Sequence, residues 1–545
     1  MTAPAAKENA RDAALIWGST SLTAVLLFFS FGPVGHPFLA FIALLPVCFA
    51  VTRQPAWASW RRAAFLTSWI LWIALLIWLR HVYPPLGWLG LILLTAYCAL
   101  FNTAWLILLR WILPTLQGQA VFWRLLAMLG LAGAWGLGEW VRANFLTGFG
   151  WLPFAASQES NVVMLTLCRW VGPYGLSMAL VLINLGLARW VHRFLSQRST
   201  DQSLAPLGPA AWLQGLTPEL YLGLSTIAAA FYGLITQPLP TARDTTTLQM
   251  VAVQTNFDPN AKWDQALLNQ HISEITQHTL GGAKAKPDFI LWPEAAIPLT
   301  LENAQWQSHL KALTQNTGTT LVIGTIEKRE QGYTNGVAVI GPEGLRTPTY
   351  AKRHLVPFGE YVPLANFLPL RKVVPIAEDC VAGDSVSLLP LRTLKGQSLS
   401  AGALVCYEDV FPELAREHAR AGADLLIVIT NDAWYGQEAG AYQHAAHSTL
   451  LAASTGLPLL RCGNAGWSGT IDRHGRTQAM VNPANQSIYF AGFSAPLTAQ
   501  VTLPEYRQPT FWVQHGEWAV GLGGLCLALT YLWRRRWYRE KSLST

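Results

Sequence analysis

Acidic residues are almost absent from the first 239 residues of this chain, where long apolar stretches dominate. Of the 31 Asp and Glu residues, that part holds only Glu8, Asp12, Glu139, Glu159, Asp201 and Glu219. So few charges cannot cover the surface of a water-soluble domain, whereas about 20 consecutive apolar residues cross the hydrocarbon core of a bilayer. We therefore predict membrane spans at residues 15–34, 36–52, 63–80, 86–109, 122–141, 166–190, 217–236 and 511–533.

Arginines are grouped at alternate ends of these apolar stretches. The groups are Arg53, Arg61 and Arg62; Arg110 and Arg124; Arg189, Arg193 and Arg198; and Arg534, Arg535, Arg536 and Arg539. Positive charge concentrates on the cytoplasmic side of membrane proteins, so this pattern puts the N-terminus in the cytoplasm and residues 240–508 on the opposite side. We expect a multi-pass protein of a bacterial inner membrane, with residues 240–508 in the periplasm.

Three parts follow from this topology. Residues 1–239 form a membrane domain with about seven transmembrane helices. We expect residues 240–508 to form a globular domain on the periplasmic side, and residues 509–545 to form a C-terminal transmembrane helix with a basic cytoplasmic tail.

The overall charge and the cysteines exclude several classes of protein. The net charge of +7 does not indicate nucleic-acid binding, because the basic residues punctuate apolar stretches and do not gather on one globular face. The seven cysteines form no CxxC motif or Cys/His cluster, so we expect no metal site and no cofactor. Whether two of Cys380, Cys406 and Cys462 form a disulfide stays open.

Residues 240–508 alternate short apolar strands with helical segments. We predict strands at residues 248–254, 288–292, 320–325, 336–341, 402–407, 424–430 and 458–463. Helices are predicted near residues 263–279, 303–316, 411–421 and 438–454. Strands that alternate with helices indicate an α/β domain built in layers.

Three side chains in this region suit acyl chemistry. Cys406 follows a predicted buried strand, at the edge of an α/β sheet where ligand sites lie, and its thiolate would be a strong nucleophile. Glu294 follows Trp292 and Pro293, and a carboxylate in such dry surroundings suits a general base. The ammonium of Lys352 would stabilise an oxyanion. The alternatives are a structural cysteine, a solvated glutamate and a surface lysine.

Four motifs make a family resemblance specific. LWPEAAIP, YAKRHLVPFGEYVP, LVCYEDVFPE and ITNDAWYG, in this order, resemble the carbon–nitrogen hydrolase (nitrilase) superfamily with its Glu-Lys-Cys triad. With the membrane spans and HLVPFGEYVP, the chain is similar to the apolipoprotein N-acyltransferase family. The resemblance implies a polytopic α-helical membrane bundle plus a nitrilase-like α-β-β-α sandwich domain. It makes Glu294 the base, Lys352 the oxyanion stabiliser, Cys406 the acylated nucleophile and Glu360 a further essential carboxylate.

The resemblance also implies substrate-binding residues, namely Trp263, Tyr407, Glu408, Asn431 and Trp434. For Trp263 the alternative is an aromatic that packs a helix, for Glu408 a surface salt bridge, and for Asn431 and Trp434 a role in the turn alone. His444 and His447 share a helix face but lack a third ligand, so we expect an ordinary helix surface and no metal site.

The activity implied by the resemblance is a ping-pong acyl transfer. An acyl chain moves from a membrane phospholipid, through a thioester on Cys406, to the N-terminal amine of diacylglyceryl-modified apolipoproteins. A membrane-tethered nitrilase-type hydrolase and a transporter or binding scaffold stay open as alternatives. In LAASTGLPLLRCGNAGWSG, Cys462 and Trp467 depart from the usual family pattern, which puts the wall of the acyl pocket in doubt.

Overall fold

The computed structural model describes residues 10–83, 85–200, 216–236, 243–365, 367, 369–372, 374, 378–481, 487–489 and 492–543. The chain forms two compact units: Met1–Gln237 together with Glu517–Thr545, and Pro238–Gly516. The described part of the first unit is helical, and the second unit combines helices with two β-sheets. This confirms the predicted pairing of a helical bundle with an α/β domain.

The helices of the first unit coincide with the apolar stretches of the sequence. They are α1 Ala10–Phe28, α2 Leu45–Thr52, α3 Trp57–Leu75, α4 Leu86–Ile112, α5 Val121–Asn144, α6 Val162–Leu165, α7 Cys168–Thr200, α8 Pro218–Thr236 and, after the second unit, Trp518–Leu543. Within the described residues, four stretches are long and apolar enough to cross a membrane: Leu86–Leu116, Val121–Asn144, Cys168–Ser196 and Pro218–Thr236.

Several predicted spans are interrupted in the structure. Residues 63–80, for example, comprise the end of α3 at Leu75 and a 3₁₀ turn, Ile77–His81. Residues 36–52 form a 3₁₀ turn, Pro37–Phe41, followed by α2. Residues 511–533 divide at Gly516, whose φ of 65° lies in the left-handed region and ends the short helix Phe511–His515. Trp512 of that short helix is buried in the α/β unit. The apolar run 511–533 therefore contains parts of two elements: the short helix Phe511–His515 of the second unit and the long helix Trp518–Leu543 of the first.

The second unit contains two six-stranded sheets. Its strands are β1 Thr245–Gln254, β2 Phe289–Leu291, β3 Thr320–Arg329, β4 Gly332–Gly341, β5 Gly344–Ala351, β6 Leu388–Arg392, β7 Ser398–Val405, β8 Leu425–Thr430, β9 Leu459–Gly463, β10 Gly469–Ile471, β11 Thr477–Ala479 and β12 Phe493–Thr502. The orders are β12-β1-β2-β3-β4-β5 and β11-β10-β9-β8-β7-β6. Pairs β1–β2, β2–β3, β7–β8 and β8–β9 are parallel.

Alternating side chains give this unit its layers. Along β1, Met250 and Ala252 pack into a core shared by both sheets, whereas Val251 and Val253 pack on the opposite face. That outer face is covered by helices Leu268–Ala283 and Ala304–Thr317, which we call α9 and α10. Helices α11 Pro412–Ala421 and α12 Gly440–Thr455 cover the second sheet. The order of layers is the predicted α-β-β-α.

Strand ends bring the predicted chemical groups to one edge. Cys406 follows β7, and Asn431 follows the neighbouring parallel strand β8. Glu294 lies three residues beyond β2, and Lys352 directly follows β5. Ligands of α/β sheets bind in the crevice outside the carboxyl ends of the parallel strands, so this edge is suited to a ligand site.

Candidate active site

The buried ammonium of Lys352 lies between two carboxylates. Its Nζ is 2.8 Å from Glu360 Oε2 and 3.7 Å from Glu294 Oε1. Burial lowers the pKa of Lys352, but Glu360 and Glu294 more than reverse this effect and raise it above the ordinary lysine value. Lys352 is therefore a fixed cation at neutral pH, and the structure brings together three of the four predicted catalytic residues through direct contacts.

Cys406, the fourth of these residues, begins the 3₁₀ turn Cys406–Val410 with an unusual backbone conformation. Its φ is +51°, in the left-handed region that non-glycine residues seldom adopt, and this conformation ends β7. Burial, followed by the charge of Glu294, raises the pKa of the thiol, while Lys352 and a hydrogen bond with Thr430 lower it in part. The resting thiol is therefore protonated and needs a base such as Glu294 to become a nucleophile.

Asn335 connects the two carboxylates that contact Lys352. Its Nδ2 donates to Glu294 Oε1 at 2.7 Å and to Glu360 Oε1 at 3.1 Å. Glu360 Oε2 also accepts from the backbone N–H of Val356 at 2.8 Å, and the N–H of Lys352 donates to the Asn335 carbonyl. These bonds hold Lys352 in one position, which suits an ammonium that must meet a developing oxyanion.

Glu408 is fully buried and joins the Cys406 turn to the loop after Lys352. Its carboxylate accepts hydrogen bonds from Tyr350 Oη and from the backbone N–H groups of Arg353, His354 and Val405, at 2.7–3.1 Å. Burial raises the pKa of this carboxyl, and these N–H groups oppose the rise. Both oxygens are occupied by the protein, so the geometry favours a positioning role for Glu408 over the predicted substrate contact and over a surface salt bridge.

The Glu408→Gln variant is expected to slow turnover about tenfold and to destabilise the protein by about 1–3 kcal/mol, because its NH₂ group would face a backbone donor. The Michaelis constant for the substrate should stay unchanged. Steady-state kinetics and thermal unfolding of the full-length protein measure these effects. Glu417→Gln, which removes the exposed partner of Arg353, is the matched control with little effect. A raised Michaelis constant at unchanged stability would mean that Glu408 contacts substrate.

The other predicted substrate-binding residues occupy different environments. Trp263 is 51% exposed, which argues against a packing role. Tyr407 is buried edge-to-face on Phe411, with ring centroids 5.0 Å apart. Asn431 is buried, and its Oδ1 accepts from Asn464 Nδ2 at 2.8 Å, while Trp434 lies half-buried in the 3₁₀ turn Asp432–Tyr435. Trp263 therefore offers the largest accessible surface of this group.

A second buried lysine was missed from the sequence. Lys262 Nζ donates to the backbone carbonyl of Glu294 at 3.2 Å, and the side chain is only 3% exposed. Burial lowers the pKa of Lys262 to about 8, against the opposing charges of Glu294 and Cys406. In the sequence, only its position directly before Trp263 in AKWD connects Lys262 with the site, and a lysine in a polar stretch is usually on the surface.

Four ionisable side chains form a buried cluster behind Cys406. Arg461 contacts Asp409 and lies 3.2 Å from Asp432, while His444 lies 2.7 Å from Asp409 and 2.8 Å from Asp432. His444 Nε2 is also 3.2 Å from the carbonyl oxygen of Cys406. Burial lowers the pKa of His444, but Asp409 and then Asp432 raise it above its usual value, against the opposing charge of Arg461. We call Asp409, Asp432, His444 and Arg461 the buried charge cluster.

The prediction of an ordinary helix surface at His444 and His447 is therefore wrong, since both are buried. Helix α12 lies between the second sheet and the short helix Phe511–His515, named α13 here. Thr510 Oγ1, just before α13, donates to the Ser454 carbonyl of α12 at 2.6 Å. His444 points inward from α12 and contacts Asp409, Asp432 and the Cys406 carbonyl, which belong to other segments of the chain.

All seven cysteines are free thiols, so the open question of a disulfide is answered by the structure. Cys462, the departure from the family pattern, lies fully buried between the sheets. Its Sγ is 3.5 Å from the carbonyl oxygens of Val253 and Leu291. Cys462 therefore fills the core between the sheets, whereas Cys406 interacts electrostatically with Glu294 and Lys352.

Two sequence profiles match this chain on either side of residue 240. "Apolipoprotein N-acyltransferase N-terminal domain" matches residues 23–186, and "Carbon-nitrogen hydrolase" matches residues 247–503. An apolipoprotein N-acyltransferase of Geobacter metallireducens is 30% identical over 525 residues, which is 93% of each chain. The chain belongs to the apolipoprotein N-acyltransferase family. Another apolipoprotein N-acyltransferase, from Rhizobium rhizogenes, is 27% identical over 92% of this chain and 94% of its own.

Membership of the apolipoprotein N-acyltransferase family confirms the resemblance found in the sequence. The protein is a membrane-integral acyltransferase with a carbon–nitrogen hydrolase domain. Among solved structures, an amidase from Nesterenkonia sp. AN1 is 17% identical, with 49% of this chain and 94% of that chain covered and a TM-score of 0.35.

Proposed function

We propose that this protein transfers an acyl chain from a membrane phospholipid, through a thioester on Cys406, to the N-terminal amine of diacylglyceryl-cysteine in apolipoproteins. The observation that carries the proposal is the buried ammonium of Lys352, held by the carboxylates of Glu294 and Glu360 and interacting electrostatically with Cys406. Support also comes from relatives named apolipoprotein N-acyltransferase that match nearly the whole chain. In this scheme the reaction completes lipoprotein maturation.

In the first step, the Cys406 thiol gives its proton to Glu294 and the sulfur attacks an ester carbonyl of the phospholipid. The tetrahedral oxyanion is stabilised by Lys352, with the N–H of Tyr407 as an additional donor. Collapse of this intermediate breaks the ester bond, and Glu294 returns the proton to the lysophospholipid alcohol that leaves. The acyl chain remains on sulfur as a thioester.

In the second step, the free α-amine of the acceptor attacks the thioester carbonyl. Lys352 again stabilises the oxyanion, and Glu294 accepts a proton from the attacking amine. The C–S bond then breaks, the sulfur recovers the proton, and the acceptor carries a new amide. Donor and acceptor use the same site in turn, so the kinetics are of the ping-pong type.

The location proposed for this reaction is the periplasmic side of a bacterial inner membrane. The argument comes from the arginine groups between the apolar stretches, which favour a cytoplasmic N-terminus. The α/β unit lies in sequence between α8 and the last helix, Trp518–Leu543, which we call α14. Both substrates are anchored in lipid, which fits a catalytic domain tethered by helices on both sides.

The test follows a labelled acyl chain. The purified full-length protein is incubated with phospholipid carrying a labelled acyl group, first alone and then with a diacylglyceryl-cysteine peptide. We expect label on the protein in the first stage and on the peptide's α-amine in the second, measured by mass spectrometry.

The matched control is the same peptide with its α-amine acetylated, which should receive no label. Label released only as free fatty acid, with or without acceptor, would contradict the transferase proposal and support the membrane-tethered hydrolase.

A further inference from the structure

The reacting groups of the proposed function carry an unbalanced charge if Lys352 is their only cation. Glu294 and Glu360 are both within contact distance of Lys352, so these three groups sum to one negative charge. Moving the thiol proton to Glu294 leaves this sum unchanged, because the charge only passes from carboxylate to sulfur. An uncompensated charge in a buried site is costly, so a second cation should lie nearby.

Lys262 is in the position that this argument requires. It lies in the 3₁₀ turn Ala261–Trp263, is almost fully buried, and donates to the carbonyl of Glu294 at 3.2 Å. Its Nζ also lies 5.9 Å from the ring centroid of Trp263, which is half exposed. A long charged side chain directed inward beside an exposed tryptophan is the reverse of the usual arrangement.

We propose that Lys262 is the second cation of the active site, and that its charge stabilises the Cys406 thiolate and the oxyanions that follow. The inference rests on Cys406 being the nucleophile of the proposed function. Lys262 completes a neutral set with Glu294, Glu360 and Lys352. It acts through its charge on the reacting sulfur, and its hydrogen bond to the Glu294 carbonyl fixes where that charge lies.

The charged surroundings of Lys262 come from several elements. Asp258 and Asp264 flank it in its own segment, and His271 faces it from α9 with a pKa lowered by burial and by Lys262. Glu294 after β2 and Cys406 after β7 interact with it electrostatically. Because burial lowers the pKa of Lys262 to about 8, its charge is present below that pH and is lost above it.

The experiment measures the rate at which iodoacetamide alkylates Cys406 in the full-length protein, by mass spectrometry across pH. We expect Lys262→Met to react about tenfold more slowly than wild type well below pH 8, because a nearby opposite charge typically lowers a pKa by at least about one unit. Above pH 8 the two rates should converge, since wild-type Lys262 is then neutral. Lys262→Arg keeps its charge, so it should match wild type at low pH and exceed it at high pH.

A purely structural role for Lys262 predicts a different result. In that case Lys262→Met would differ from wild type by the same factor at every pH, and such a constant ratio would overturn the inference. Lys262→Gln repeats the measurement with a neutral polar side chain, so the test still works if Lys262→Met does not fold. Alkylation reads the thiol without lipid substrate. If the alkylation rates show the expected pH dependence but no acyl-enzyme forms, the proposed function is rejected and the inference about the charge of Lys262 stands.

Discussion

The Cys406→Ala variant is expected to form no acyl-enzyme and to lose acyl transfer by at least about 10⁴-fold, because removing a covalent nucleophile removes the two-step route itself. The fold should survive, since alanine occupies less space than cysteine at the start of the 3₁₀ turn. The measurement is label on the intact protein after incubation with labelled phospholipid, together with the rate of N-acylation of a diacylglyceryl-cysteine peptide.

Other thiols of the same unit provide the matched controls. Cys380 lies near the site, since its backbone N–H donates to the Glu360 carbonyl at 2.7 Å, and Cys462 lies in the core between the sheets. Cys380→Ala and Cys462→Ala should both keep the acyl label on Cys406. Equal labelling of Cys406→Ala and wild type would mean that another group carries the acyl chain.

Most buried strands and the helices between them could be predicted from the sequence, whereas the edge strands and the short buried strand β10 could not. The predicted strand 424–430 contains β8, whose residues are all buried, because a continuous apolar run is a strong signal. β5 was missed, since it is the edge strand of its sheet, and its residues mix polar with apolar side chains and are mostly accessible. The predicted strand 402–407 extends beyond β7, which ends at Val405 because of the left-handed conformation of Cys406.

The same contrast holds for the candidate site. Glu294, Lys352, Glu360 and Cys406 were predicted through motifs, and three of them share direct contacts in the structure. Lys262 and the buried charge cluster are polar residues whose burial depends on distant segments, so neither periodicity nor composition marks them. Their partners come from several strands and helices, and only the assembled fold shows that these charges are internal.

Removing Arg461 from the buried charge cluster should destabilise the protein by about 3–5 kcal/mol, because it leaves a buried carboxylate without a counter-charge. Burial raises the pKa of Asp409, but His444 and Arg461 outweigh it and hold the pKa below the ordinary aspartate value. Asp409 is therefore ionised, and its carboxylate and that of Asp432 are held between two cationic partners, Arg461 and His444. We expect Arg461→Met to lower the melting temperature on the order of 10 °C, measured by tryptophan fluorescence of the full-length protein.

Two further variants separate charge imbalance from lost packing. Arg476→Met removes the partner of Asp472 in an exposed pair, where Arg476 is 61% accessible, and should cost at most about 1 kcal/mol. The double variant Arg461→Met with Asp409→Asn restores neutrality within the cluster, so it should melt at a higher temperature than Arg461→Met alone. A double variant no more stable than the single one would show that Arg461 contributes by packing. In that case the cluster would not be a charge-balanced support for the Cys406 turn, which is the role that the contacts of Arg461 with Asp409, Asp432 and His444 indicate.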